Sequence, residues 1–356
     1  MTAPSAPRGI SVPSIVEKIV SRTATRTIRL ALCAVMFEAP HVSASTIPAS
    51  SAMRWDAMGH WTIAAIAYER LRPATRARVD ALLRRHPDLD SLSRGLDLST
   101  RDGSRELFMR ASVWPDVVRR DPRFHDEADP TSRPTPLLPG YPDMKRRSSW
   151  HYMSQSFSTD GTTALALQYP STVTHLAALA RALGDASVPT PIRAYNLSWI
   201  AHVVGDLHQP LHGTSRASRA LSQGDAGGNA VRVQVGPLPA DSISLHAYWD
   251  RALSRAYRDG SAVALARQLA AEAPIAVDSP EIQVPSGSAL EMTIGAWAAE
   301  SATLARYLVY DIDERVAGAA PPRTTPAYDR LAIITARQRV TIAGYRLAAL
   351  LESRLR

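Results

Sequence analysis

The stretch IRAYNLSWIAHVVGDLHQPLH, residues 192–212, decides how the chain is read. Apolar residues recur through 192–208 at helical spacing, and Pro210 stops the run. His202 and Asp206 are four residues apart, so they share one face of that helix. The upstream residues on that face are apolar, which turns both side chains into the protein. A buried carboxylate beside buried imidazoles is costly unless something pairs it. A divalent cation meets that need. His212 lies just beyond the break and can turn back to a neighbouring ion.

The same spacing returns in LHAYWD, residues 245–250, where His246 and Asp250 are again four apart. One such pair is usually a solvent-facing ion pair. Two inward pairs on separate helices, with a histidine after a helix break, read as a metal site. Nitrogen and oxygen ligands of this mix, without a thiolate, suit zinc best. His60 in WDAMGHW, Asp116 in ASVWPDVVR and His151 in SSWHYMS also stand in apolar surroundings. Each alone reads as a capping residue or a satisfied core histidine.

Beyond this stretch, the chain reads as mostly helical. The periodicity predicts helices over 58–71, 74–86, 171–185, 192–208, 245–256, 261–272, 290–312 and 326–354. Strand signal is scarce; residues 228–235 alternate after a Gly-Gly turn and read as part of a small β-hairpin. Loops over 121–147 and 213–228 are long enough to be functional. There is no internal repeat and no phosphate loop of the GxxxxGK[ST] type. No shift in composition marks a second domain, so one all-α domain is expected from Trp55 onward.

The 356 residues are 45% hydrophobic and 21% charged, which excludes a disordered chain, a collagen and a disulfide scaffold. No apolar run is long enough to span a bilayer, so no stable membrane insertion is expected. Lys18 and Lys145 are the only lysines among 41 basic residues. Such a skew towards arginine follows genomic base composition, which weakens the net charge of +8 as a sign of an anionic partner. Residues 1–54 read as an export signal and disordered leader: Arg22, Arg26 and Arg29 precede a short apolar stretch from Leu30 to Phe37, then small residues. Export to a periplasm or out of the cell is expected. The sole cysteine, Cys33, lies in that segment. Removing the leader takes six basic and two acidic residues and leaves a net charge of +4, not a polybasic arm.

Together the segments resemble the S1/P1 nuclease family of secreted, zinc-dependent, largely helical phosphodiesterases. The resemblance rests on Trp55 to His60, Trp114-Pro-Asp116-Val-Val-Arg119, His151-Tyr152, His202 to His212, Gly227-Gly228-Asn229 and Leu245 to Asp250. Trp297, Glu300, Ser301 and Tyr310 resemble the last helices more loosely. The resemblance implies a single mostly helical domain over 55–356 of the phospholipase C/P1 nuclease type, and a cluster of three zinc ions. The first would be held by Asp116, His151, His202 and Asp206, and the second by His212, His246 and Asp250. His60, Asp206 and the main-chain amine and carbonyl of Trp55 would hold the third. That last site requires Trp55 to become the first residue, whereas cleavage after Ala44, Ala49 or Ala52 would leave residues to be trimmed.

The resemblance also implies roles. Asp116 would orient or deprotonate the attacking water, and Arg119 would steady phosphate charge. Tyr152 matches an aromatic position that stacks on a base, which tolerates every base and favours single strands. Ser154 stands where fungal members carry an aspartate that bonds the base edge, and Arg251 where some carry asparagine. Both departures point to an altered base preference. Asn229 would approach the cluster from the hairpin turn, and Gly59 lets the backbone pass beside His60. His41, His86, His125, His175 and His208 are expected to be structural or on the surface. The substrates implied are single-stranded DNA and RNA, cleaved to 5′-phosphates, and 3′-nucleotides; a monomer is expected. Two other readings stand beside this one. A zinc-dependent phospholipase C shares the fold and cluster, but its pattern has Asn where Ser215 stands and tends to Glu where Asp250 stands. A non-catalytic zinc-binding protein would need a ligand or Arg119 missing, and none is.

Overall fold

A computed structural model describes residues 56–356 apart from 168–169, 239–240, 258–259, 277, 286, 288 and 313–319. Trp55 and the expected export segment lie outside the described residues. Among those described, helices α1 (Ala57–Arg70), α2 (Pro73–Leu83), α3 (Leu89–Leu92) and α4 (Arg101–Val118) come first. Then follow α5 (Thr172–Gly184), α6 (Thr190–His208), α7 (Leu245–Asp250), α8 (Ala252–Ala256), α9 (Ala262–Glu272), α10 (Ala289–Leu304) and α11 (Pro326–Arg354). The fold is all-α, as the periodicity of the sequence implies.

Two helices form its middle. In α1, Ile63 through Tyr68 are all buried, and in α6 every residue from Ala194 to His208 is buried. A helix buried on all sides belongs inside a multi-helix core rather than on its edge. Accordingly α1 is packed by α4, α9 and α11, and α6 by α4, α5 and α11. At 29 residues α11 runs about 43 Å, enough to back both central helices. Local chemistry sets the ends. Thr100, Ser171, Ser244 and Thr325 cap α4, α5, α7 and α11 with their hydroxyls. Prolines in the first turn open α2, α6 and α11.

Two small sheets flank the helices. Strand β1 (Gln155–Ser158) pairs in parallel with β2 (Thr214–Ala217), and β3 (Arg232–Gln234) pairs antiparallel with β4 (Ser242–Ser244). The second is the expected hairpin, shorter than the alternating run that announced it. Three other expectations are corrected. The predicted helix 245–256 breaks at Arg251, where φ −95° and ψ 10° leave the helical region. The segment 290–312 ends its α-helix at Leu304 and continues as a π-helical turn, Ala305–Val309. The supposed loop 213–228 opens with β2.

Candidate metal centre

Eight His and Asp side chains from six elements meet at the core. His60 comes from α1 and Asp116 from the last turn of α4. His151 ends a short 3-10 turn, Ser148–His151. His202 and Asp206 lie on α6, His212 on the 3-10 turn Pro210–Gly213, and His246 with Asp250 on α7. Asp206 is at the centre. Its Oδ2 is 3.1 Å from His151 Nδ1 and 3.1 Å from His202 Nε2. Its Oδ1 is 3.4 Å from His60 Nε2. Asp116 Oδ1 stands 3.8 Å from both His151 Nδ1 and His202 Nε2. Asp250 Oδ1 is 3.6 Å from His212 Nε2, and Oδ2 is 3.5 Å from His246 Nε2.

Backbone carbonyls aim the imidazoles. His202 Nδ1 donates to the Ser112 carbonyl, His212 Nδ1 to that of His151 and His246 Nδ1 to that of Gly227, each at 2.8 Å. Placing the proton on Nδ1 leaves the Nε2 lone pair facing inward, as metal-ligating histidines require. Gly227, at φ 63°, can reach this position because it lacks a side chain; a β-carbon there would sit 2.6 Å from the Leu211 carbonyl. Gly205 serves His60 in the same way, since a β-carbon on it would lie 2.7 Å from His60 Nδ1. Gln209 Nε2 donates to Asp250 Oδ1 at 2.7 Å, while its Oε1 accepts from Leu211 N at 2.5 Å. This amide ties the break after α6 to a carboxylate on α7.

Charge at the centre is finely opposed. Burial alone would raise the Asp206 carboxyl, but the imidazoles of His202, His212 and His151 outweigh it and hold Asp206 well below the usual range. Asp116 is also lowered: burial opposes this, and His202 and His151 overcome it. His60 is pushed down by burial and by His202, which keeps it neutral. His202 is buried too, yet Asp206 and Asp116 raise it. A proton therefore competes for the place a cation would take.

The residues fit bound metal. His60 Nε2, Asp206 Oδ1 and His212 Nε2 are buried without a hydrogen bond. Buried polar atoms are rarely left so, and a cation would satisfy all three. Tetrahedral zinc with bonds of about 2.0–2.1 Å separates its ligand atoms by about 3.4 Å. The gaps of 3.4–3.6 Å around His60, Asp206, His212, His246 and Asp250 match that spacing. Three groups could each hold an ion, the first two sharing His202: His60, Asp116 and His202; His151, His202 and Asp206; His212, His246 and Asp250. The Asp116 side chain is 16% exposed, whereas that of Asp206 is fully closed off. Solvent therefore reaches the group at the Asp116 side.

The remaining predicted site residues lie at or near the surface. Arg119 follows α4 directly and is half-buried. Tyr152, beside His151, is 42% exposed, and Ser154 is exposed. Asn229 is exposed as well, with its Nδ2 donating to the Ala226 carbonyl. It belongs to the turn before β3, not to the hairpin's own turn. Residue 55 is not described, but Asp56 N donates to the Asp250 carbonyl at 3.2 Å. The chain thus enters α1 against a candidate ligand residue.

Sequence reasoning missed the supports. Gln209 lies inside the quoted string, and its place between two ligands was the signal available. Asp88 had none. It accepts from Trp114 Nε1 at 2.7 Å and from Arg123 at 2.7 and 2.9 Å, fixing α4 two residues before Asp116. Behind α6, Glu300 binds both Arg339 and Arg346. Arg339 Nε donates to the His208 carbonyl, Ser301 Oγ to that of Leu207, and Arg346 Nη1 to His208 Nε2. These bonds satisfy the end of the helix that carries His202 and Asp206.

A helical core that gathers buried histidines and aspartates into ion-sized groups is the architecture of a metal-binding centre. The chain belongs to the S1/P1 nuclease family, whose family model matches residues 55–356. That family comprises hydrolases that act on phosphodiester bonds. No curated protein matches the chain.

Proposed function

We propose that the chain is an exported, zinc-dependent phosphodiesterase that cleaves single-stranded DNA and RNA to 5′-phosphate products, with 3′-nucleotidase activity. The observation that carries this is Asp206, whose two oxygens face different imidazoles as a carboxylate shared between two ions does. Asp116, His151, His202 and Asp206 would hold one zinc, and His212, His246 and Asp250 a second. His60 and Asp206, with the amine and carbonyl of Trp55, would hold the third. Bound zinc would neutralise phosphate charge, activate water at neutral pH and stabilise the leaving oxygen.

The chain's own residues do the rest. Asp116 sits where solvent reaches the ligands, so it orients the attacking water and takes its proton. Arg119 neutralises charge that builds on the phosphate. Tyr152 stacks a base beside His151, which accepts any base and requires an unpaired strand. Ser154 and Asn229 meet the nucleotide at the rim. Ser154 is too short to repeat the base-edge contact of an aspartate, so base preference should be broad.

Comparing turnover of denatured DNA with turnover of phosphatidylcholine tests the proposal. Denatured DNA should be cut to 5′-phosphate ends, and a chelator should slow this by about a thousandfold or more. Hydrolysis of phosphatidylcholine alone would assign the same centre to a phospholipase C. Zinc binding without either activity would leave a non-catalytic protein.

A further inference from the structure

The π-helical turn Ala305–Val309 is packed against the 3-10 turn that carries His212. Such turns are rare and recur at functional sites. This one displays Arg306 and Tyr307, the latter 61% exposed. The Arg306 guanidinium lies 5.6 Å from the ring centres of both Tyr307 and Phe157. Phe157 stands edge-on to Tyr310 at 5.4 Å, and Arg216 covers Tyr310 at 4.5 Å. Phe157 and Arg216 are also register partners in β1 and β2. Five side chains thus form one ladder of rings and guanidinium groups, buried at Arg216 and open at Tyr307.

The ladder is joined to the metal centre by backbone. Strand β2 leaves His212 directly, and Met153 N donates to the His212 carbonyl at 2.7 Å. Arg216 is four residues from His212, the third residue of the strand that follows its 3-10 turn. Among the described residues no carboxylate forms an ion pair with Arg306. An exposed ring beside a cation held over two rings suits a partner with flat faces and negative charge. Single-stranded nucleic acid offers both at every nucleotide.

Resting on the nuclease reading above, we propose that Arg306, Tyr307 and Phe157 form a second contact for the substrate strand. They hold nucleotides that flank the one at the metal centre. Tyr307 stacks a base, and Arg306 meets the backbone while buttressed by Phe157. A short substrate held only at the metal centre does not reach this shelf. A longer strand does, so chain length is read as affinity.

The test compares a dinucleotide with an oligothymidylate of about twelve residues, using wild type, Arg306→Ala, Tyr307→Ala and Tyr307→Phe. The alanine variants should raise KM for the long substrate by roughly five- to 150-fold, the effect of losing one stacking contact, with kcat unchanged. Cleavage of the dinucleotide should not change, and Tyr307→Phe should behave as wild type because it keeps the ring. Equal effects on both substrates, or none, would overturn the shelf. Fluorescence anisotropy with a labelled phosphorothioate oligothymidylate gives a readout without catalysis. Wild type should bind it several-fold more tightly than the alanine variants. If wild type binds in this way but cleaves nothing, the nuclease reading fails and the shelf stands. If all proteins bind alike, or none binds, the shelf fails.

Discussion

Gln209 shows how much a single non-ligand residue can decide. Its amide holds Asp250 from one side and the backbone of Leu211 from the other. Gln209→Leu keeps the volume but removes both bonds. Loss of an outer hydrogen bond to a ligand typically costs 10–100-fold in metal affinity or activity, and zinc titration of the variant should show a loss of about that size. Wild-type zinc affinity would exclude Gln209 from the support of the site. Gly205 is a stricter case. A methyl group there would sit 2.7 Å from a His60 ring nitrogen, and both are buried in helices that cannot move apart freely. Gly205→Ala should therefore displace His60 and lower zinc stoichiometry, with the group of His212, His246 and Asp250 still filled. An unchanged stoichiometry would show that His60 holds no ion.

At the scale of elements, the supports of α4 and α6 respond differently to change. His86 lies under Trp114 at 4.9 Å and accepts from Asp88 N through Nδ1, so it is neutral in the fold. Burial pushes its pKa down from 6.5 to about 4. The folded protein therefore binds this proton less readily than the unfolded chain. Stability from His86 is fully present above about pH 6.5, and roughly 3 kcal/mol is lost as pH falls towards 4. The melting temperature of wild type minus that of His86→Gln should shrink over that window, measured with chelator present in both. A constant difference would show that His86 does not titrate there. Behind α6, Glu300 bonds to both Arg339 and Arg346, two buried arginines. Burial works to raise Glu300, but Arg346 and Arg339 bring it below its ordinary value. Removing one partner of a buried pair costs about 3–5 kcal/mol, so Glu300→Ala should lose that much in chemical denaturation. A loss under about 1 kcal/mol would mean solvent already compensates the two arginines.

The elements also show which parts of the fold were legible in the sequence. The helices at 57–70, 172–184, 190–208 and 326–354 match their apolar periodicity closely. Helix α4 was missed, because Asp102-Gly103 and Pro115 both read as breakers. Thr100 in fact caps it before Gly103, and Pro115 falls in its last turn. The pairing of β1 with β2 joins residues about sixty positions apart and leaves no local signal. The same holds for the bonds from Glu300 to α11, which no spacing announces. The eight His and Asp side chains were legible for the opposite reason. Helical spacing and a proline break limit where inward polar groups can go, and the family resemblance supplied the segments that spacing could not join.

For the whole molecule, the helical body begins at the metal centre. Asp56 N bonds the Asp250 carbonyl, so the start of α1 lies beside a candidate ligand residue. If processing makes Trp55 the first residue, its free amine becomes available as a ligand. The N-terminal sequence of exported protein should then begin at Trp55. Among the described residues no helix is long and apolar enough to cross a membrane. The central claim is that one buried set of histidines and aspartates holds several zinc ions at once. Its most direct test is the zinc content of the processed protein, measured per chain by elemental analysis after exhaustive dialysis. The account predicts three ions when Trp55 is the first residue; a protein that retains no zinc would contradict it.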